Sequence, residues 1–311
     1  MDKPVVSVIM AVRNGQRYVR QAVESILQQT FSEFDFVVVD DGSTDRTPAR
    51  LKQCGRHDGR LRLIRADGQG IARSRNEAVS MARGRYLAII DSDDVAEPTR
   101  LAKQVEALET RPPICIGSAV RIIDGKGRWL TVLEPPASDE AIQESVLAGH
   151  GAIYNPSAMM ARADFERVGG YHALYEPAED IDLWLRLGER GTLANLKEPL
   201  LRYRMHDQSI SESKTVTQRQ RANLACEHAC QRRGVQPRYE AWAPWRPGND
   251  RQSQHAFMLQ YGWWAFQAQQ YGTAAVYAGK ALLRRPLNRE GWALAYHTGI
   301  GVHKREEEAG V

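Results

Sequence analysis

The chain has 311 residues, 42% of them hydrophobic and 26% charged, with a formal net charge of +4. That length admits one large domain, or one domain with a smaller companion; so mild a charge makes no case for a nucleic-acid partner, and no run of about 18 apolar residues offers a membrane-crossing helix. The cysteines Cys54, Cys115, Cys226 and Cys230 lack the spacing of a disulfide framework and suit a reducing compartment.

Taken in order, Met1-Asp2-Lys3-Pro4 leads directly into an apolar run with no signal-peptide pattern. Residues 5–10 are rich in β-branched side chains and read as a first strand, broken by Arg13-Asn14-Gly15. Over 17–29 the residues Val19, Ala22, Val23, Ile26 and Leu27 share one helical face. Residues 34–39 form a second buried strand that runs into Asp40-Asp41-Gly42-Ser43-Thr44-Asp45, where glycine permits a tight turn and Ser, Thr and Asp are good helix caps. A third strand spans 61–64. Gly68-Gln69-Gly70 opens a helix over 71–83, and Gly84 ends it. The fourth strand, 86–90, runs straight into Asp91-Ser92-Asp93-Asp94.

Strands alternating with helices of ten or more residues imply crossover units and a parallel sheet. The clusters at Asp40 and Asp91 then emerge on one edge, at the carboxyl ends of strands, where open α/β sheets bind ligands. Asp91 and Asp93 repel each other unless a cation lies between them. A divalent ion already chelated by a diphosphate needs only one or two protein carboxylates. Helix capping accounts for either acidic turn alone, but not for two strands ending in paired aspartates on one edge.

Further on, Pro98 starts a helix through 108, and 114–123 with 129–133 reads as a hairpin around Asp124-Gly125-Lys126-Gly127. A short helix spans 141–148, and 152–160 is strand-like around Asn155-Pro156-Ser157. Gly169-Gly170 is a flexible pair, Glu179-Asp180 opens another helix, and a short strand over 200–205 precedes His206. The composition shifts near residue 212 towards Gln, Arg and Ala, and Trp242, Trp245, Trp263, Trp264 and Trp292 all follow it. The expected organisation is therefore a domain over 1–212 and a helical region over 213–311. Residues 269–292 resemble one helix-turn-helix unit of a tetratricopeptide array, too little for a solenoid. Cys226-Glu-His-Ala-Cys230 reads as one helical turn rather than half a zinc site, since no second ligand pair follows.

Several common chemistries find no support. There is no Walker loop and no Gly-x-Ser-x-Gly elbow. Gly68-Gln69-Gly70-Ile71-Ala72-Arg73 begins like a dinucleotide fingerprint but carries Arg where the third glycine belongs.

The ordered set Ser7-Val8-Ile9-Met10, Asn14, Asp40-Asp41-Gly42-Ser43-Thr44-Asp45, Gly70 with Arg75-Asn76, Asp91-Ser92-Asp93-Asp94, Val168-Gly169-Gly170-Tyr171, Glu179-Asp180-Ile181-Asp182-Leu183-Trp184 and Tyr203-Arg204-Met205-His206 resembles a family 2 glycosyltransferase. The resemblance covers about residues 5 to 210. It implies an α/β chain of the GT-A type: a mostly parallel sheet flanked by helices, with a nucleotide-sugar half over 1–95, an acceptor half over 96–212 and a C-terminal helical tail. It implies that Ala11, Asp40, Asp41, Arg75, Asp91 and Ser92 bind the donor. Ala11 departs from the Pro or Thr of many members, which leaves a backbone contact intact. Asp41 resembles the carboxylate that accepts the base N–H. Asp91, Asp93 and His206 resemble metal ligands for Mn2+ or Mg2+, and Asp180 the catalytic base, with Glu179 and Asn14 in support. Asp182, two residues past Asp180, reads as structural.

The expected activity is inverting, metal-dependent transfer of a sugar from a nucleoside diphosphate donor, UDP foremost, to a hydroxyl of a saccharide or lipid-linked saccharide in cell-surface polysaccharide or glycolipid assembly. The alternatives are a nucleotidyltransferase of similar architecture, opposed by the glycine-poor loop after the first strand, and a non-catalytic nucleotide-sugar binding module. The expected location is the cytoplasm. For the Arg- and Trp-bearing tail two expectations stand together: peripheral contact with the inner membrane face, or packing on the catalytic domain or as a homodimer.

Overall fold

The computed structural model describes residues 3–110, 113–206, 215–241 and 250–309. Trp242, Trp245 and the composition boundary at residue 212 lie outside the described residues. By chain contacts it separates into two compact units, the first Met1–Val120, Glu134–Tyr203 and Lys214–Trp242, the second Arg121–Leu133, Arg204–Ser213 and Ala243–Val311.

The first unit begins with the expected strand–helix alternation: β1 (Val6–Val12), α1 (Val19–Leu27), β2 (Phe34–Asp41), α2 (Thr47–Cys54), β3 (Leu61–Ala66), α3 (Ile71–Ser80) and β4 (Tyr86–Ile89). Every residue of β1, β2 and β4 is buried, as near-continuous apolar runs require when both sheet faces are covered. On α1 the buried residues are Val19, Ala22, Val23 and Ile26, the stripe that faces the sheet. These strands pair in parallel, with Val6 opposite both Phe34 and Tyr86 and Asp41 opposite Ala66. Their carboxyl ends therefore share one edge.

Beyond β4 the sheet is antiparallel at the observed pairings. Its order is β3-β2-β1-β4-β8-β6-β9-β5, with β7 paired to β6. The added strands are β5 (Val95–Ala96), β6 (Cys115–Asp124), β7 (Trp129–Leu133), β8 (Met159–Ala161) and β9 (Leu193–Met205). β8 runs antiparallel to β4 and to β6, and β5 antiparallel to β9. The segment expected as a strand over 152–160 is a 3-10 turn at Asn155–Ser157 followed by the short β8; proline in the middle removes a ladder donor.

The intervening helices are α4 (Arg100–Thr110), α5 (Asp139–Leu147), α6 (Arg162–Arg167) and α7 (Glu179–Gly188). The helix after the composition shift, α8 (Thr215–Arg233), joins the first unit: Ala225, Cys226 and Ala229 share a core cluster with Leu183, Trp184 and Leu187 of α7. Small residues on α8 let it lie close to the bulky face of α7.

The second unit holds α9 (Arg251–Gln267), α10 (Tyr271–Arg284) and α11 (Arg289–Ala309). Leu259, Ala278, Ala281 and Leu294 form its core. Gly262 marks the closest approach, since a Cβ there would lie 2.2 Å from Leu294 Cδ2. Within this unit the buried Asp124 accepts from Tyr277 Oη at 2.8 Å and from Arg128 Nε at 2.7 Å. That anchors the β6–β7 hairpin to α10. None of the described helices is long and apolar enough to cross a membrane.

Candidate functional site

The shared strand edge of the first unit carries three linked layers. The first is a pair of turns. Asn14 sits at φ 54°, a left-handed conformation that Asn tolerates. Its N–H donates to Ser43 Oγ at 2.8 Å and its Oδ1 accepts from Thr44 N at 2.9 Å. Asp40 Oδ1 accepts from Ser43 N at 3.1 Å. Asn14 and Asp40 thus hold the β1 and β2 turns together, and Ala11 lies on β1 just before them with 9% of its surface exposed.

The second layer is the start of α3. Asp41 is buried, and its two oxygens accept from Gln69 N at 2.8 Å and Gly70 N at 3.0 Å. Gly70 has φ 96°, a region that disfavours side chains, and a Cβ there would lie 2.8 Å from Glu176 Oε2. Glu176 also accepts from Ala72 N at 3.4 Å. Carboxylates therefore occupy the amino end of α3, where unpaired N–H groups and the helix dipole favour them.

The third layer is the D-x-D. Buried Arg100 donates from Nη2 to Ile89 O at 2.7 Å and Ala158 O at 3.2 Å, fixing the end of β4 where Asp91, Ser92 and Asp93 leave it. Ser92 Oγ lies against Gly15 of the β1 turn, 3.2 Å from where a Cβ at Gly15 would stand. Arg75, from α3, crosses the site: Nη2 contacts Asp91 Oδ1 at 2.7 Å and Nη1 contacts Glu179 Oε1 at 2.7 Å. Its guanidinium also lies 5.3 Å from the Tyr171 ring centroid. The amide of Asn155 completes the cage; the orientation that satisfies both neighbours puts its oxygen 2.9 Å from Arg75 Nη2 and its nitrogen 2.9 Å from Tyr171 Oη.

Three carboxylates, Asp91, Glu179 and Asp180, thus gather around one buried guanidinium. Burial raises all three, against the pull of Arg75; Glu179 is pushed up to about 7. Burial works against the charge on Arg75, but the neighbouring acids more than offset it and hold Arg75 above its ordinary value. Asp180 is less enclosed than Glu179, and its Oδ1 accepts from Ile181 N at 2.9 Å. Asp182 points away: it binds Arg186 at 2.6 Å, and Arg186 donates to Val168 O and Gly170 O, so this pair fastens the Gly169-Gly170 loop to α7.

The structure brings Asp91, Arg75, Glu179 and Asp180 together and sets Asp40, Asp41, Asn14 and Ala11 along the same edge. His206, directly after β9, falls in the second unit, whereas Asp91 and Asp93 belong to the first. Among the described residues no three His, Cys, Asp or Glu converge as a metal cluster. The fit to a metal therefore rests on the D-x-D. Asp91 and Asp93 are hard oxygen donors, and Asp91 keeps 30% of its side chain exposed although Oδ1 is on Arg75. Two such donors suit an ion that brings a diphosphate with it. Three further residues complete the site, Asn155, Glu176 and Arg100, and of these only Asn155 carries a local signal in the sequence, its turn with Pro156.

Residues 7–169 match the model of the family described as glycosyl transferase family 2. That span includes the D-x-D and ends before Asp180. An uncharacterized glycosyltransferase of Haemophilus influenzae is 31% identical over 223 residues, covering 67% of this chain and 68% of that protein. The O-antigen biosynthesis glycosyltransferase WbnJ of Escherichia coli is 30% identical, covering 67% of this chain and 83% of that one. Among solved structures, S. aureus TarS 1-349 in complex with UDP-GlcNAc superposes with a TM-score of 0.60 at 17% identity, over 97% of this chain and 92% of that one. The mannosyltransferase PcManGT from Pyrobaculum calidifontis, in complex with GDP-Man and Mn2+, gives 0.59 at 18%, over 97% and 86%. At these identities the structural likeness concerns the fold.

Proposed function

The chain belongs to glycosyl transferase family 2 and is a glycosyltransferase, and we propose that it moves a sugar from a UDP-sugar to a hydroxyl of a saccharide acceptor, with inversion at the anomeric carbon. The observation that carries this reading is the Arg75 bridge, 2.7 Å to Asp91 and 2.7 Å to Glu179. It ties the D-x-D to the start of α7, so the donor-side carboxylates and Asp180 border one space. The O-antigen relative and the UDP-GlcNAc-bound fold neighbour support a donor and product of this class.

In this mechanism Ala11, through its backbone, and Asp40 and Asp41 receive the nucleoside, with Asn14 holding their turns. Ser92 and Asp91 face the ribose and diphosphate. Asp91 and Asp93 would hold a Mn2+ or Mg2+ ion. When bound, that ion neutralises the leaving nucleoside diphosphate. Arg75 positions Asp91 on the donor side and is itself held by Glu179 and the Tyr171 ring. Asp180 takes the acceptor hydroxyl proton as that oxygen attacks opposite the diphosphate. Glu179 is committed to Arg75, which leaves Asp180 as the freer carboxylate of the pair. The raised affinity of Asp180 for a proton suits a base that must receive one.

The test is incubation with a panel of UDP-sugars and Mn2+, with UDP release followed by chromatography. Slow release without acceptor, accelerated by saccharides, is the expected result. Binding of UDP-sugars without any turnover would instead make the protein a binding module, and diphosphate release from a nucleoside triphosphate would make it a nucleotidyltransferase.

A further inference from the structure

The link between α10 and α11 in the second unit presents a surface that the transferase chemistry does not use. Leu283 is 86% exposed and Leu287 is 95% exposed. Leaving two leucines in water, one at the end of α10 and one in the link that follows, forfeits burial that a folded chain ordinarily takes. Trp292 lies one turn into α11 and is 59% exposed, and its indole N–H donates to Pro286 O at 2.7 Å. That bond folds the ring against the turn, so the aromatic group belongs to the same tip. Tyr296, one further helical turn along, is 68% exposed and extends the stripe.

The charge around this tip is predominantly positive. Residues 276–292 contain Lys280, Arg284, Arg285 and Arg289 against a single carboxylate, Glu290. Lys280 lies over the Tyr277 ring, 4.3 Å from its centroid. Arg284, Arg285 and Arg289 are exposed beside the two leucines.

We propose that this tip docks the protein on an anionic lipid surface. Leucines enter the acyl boundary, the tryptophan and tyrosine sit at headgroup depth, and the arginines meet lipid phosphates with their aliphatic stems against the apolar layer. Charge decides between this occupant and a second copy of the chain. Two copies joined through the tip would press three arginines against three arginines, whereas an anionic bilayer supplies the opposite sign everywhere the tip touches. The proposal stands independently of which sugar is transferred.

The test is flotation of the full chain with phosphatidylcholine vesicles, with and without phosphatidylglycerol, at low salt. The protein is expected to float with the anionic vesicles and to stay behind with phosphatidylcholine alone. Each of Arg284→Ala, Arg285→Ala and Arg289→Ala should lower partitioning roughly fivefold, and Leu287→Ser about tenfold. Val235→Ser, an exposed apolar change in the first unit, should leave flotation unchanged. No flotation with anionic vesicles overturns the proposal, as does an equal loss in Val235→Ser. Sedimentation that reveals a dimer dissolved by Leu287→Ser, with no vesicle binding, overturns it in favour of self-association.

Discussion

Arg75 Nη1 and Glu179 Oε1 form a buried ion pair at 2.7 Å between residues 104 positions apart in the chain. The pair locks α3, which leads from the nucleotide-side turns, to α7, which carries the proposed base. Glu179 Oε2 has no hydrogen-bond partner among the described residues, so one oxygen binds Arg75 and the other is held dry. A buried carboxylate with one satisfied oxygen favours its neutral form, which is why Glu179 is raised to about 7.

The sign of the resulting pH dependence follows. The folded state binds the Glu179 proton more tightly than the unfolded chain, whose ordinary value is 4.5. The stability this group contributes is therefore full below about 4.5 and is lost as pH rises towards about 7. Glu179→Gln mimics the neutral form and should flatten that slope in urea-unfolding midpoints measured across the window. Arg75→Ala is the severe change. It leaves buried carboxylates without their cation and should cost about 3–5 kcal/mol. Unfolding curves of Arg75→Ala that match wild type would refute the bridge.

For Asp180 the decisive variant is Asp180→Asn, which keeps shape and some capping at the start of α7. Sugar transfer should fall by a factor on the order of 10²–10⁴, while UDP binding by calorimetry stays near wild type. Near-normal transfer, or a product with retained anomeric configuration, would remove Asp180 from the role of base.

Metal dependence is read most cleanly by binding. With Mn2+ present, UDP should raise the melting temperature, and a chelator should abolish most of that shift. At a hundred times its Kd a ligand stabilises by about 2.7 kcal/mol, enough to see in a thermal scan. Asp93→Asn should lose the Mn2+-dependent part. An unchanged Mn2+-dependent shift in Asp93→Asn would exclude that carboxylate as a ligand.

The first half of the fold was legible because its signals are local. Runs such as Val37-Val38-Val39 and Leu87-Ala88-Ile89, each followed by aspartates, declare buried strands and their carboxyl ends without outside help. The antiparallel half was harder. β9 begins at Leu193 although its run Lys197-Glu198-Pro199 looks like a loop; buried Leu193 and Asn195 before it and buried Leu200 and Leu201 after it hold this polar stretch within one strand. The attachment of α8 to α7 depends on Ala225 and Ala229 entering one core with Trp184 and Leu187, a grouping no sequence period announces. At the site, Asp91 and Asp180 stood out as carboxylates at element ends. The Arg75–Glu179 partnership did not, because it joins residues whose proximity exists only after the sheet is built.

Two roles are open to Asp41, and they separate experimentally. Its oxygens already accept from Gln69 N and Gly70 N, at 2.8 and 3.0 Å. A carboxylate has about four lone-pair sites, so an accepted N–H from a nucleotide base is compatible with both bonds. Asp41→Asn replaces one acceptor oxygen by an NH2 group that faces another N–H donor. That mismatch should cost about 1–3 kcal/mol of stability and increase hydrogen exchange at Gln69 and Gly70. If Asp41 also receives the base, UDP affinity should fall more than affinity for inorganic diphosphate, measured in the same buffer with Mn2+. Equal losses for the two ligands would reduce Asp41 to a residue that holds the Gly68-Gln69-Gly70 turn against α3.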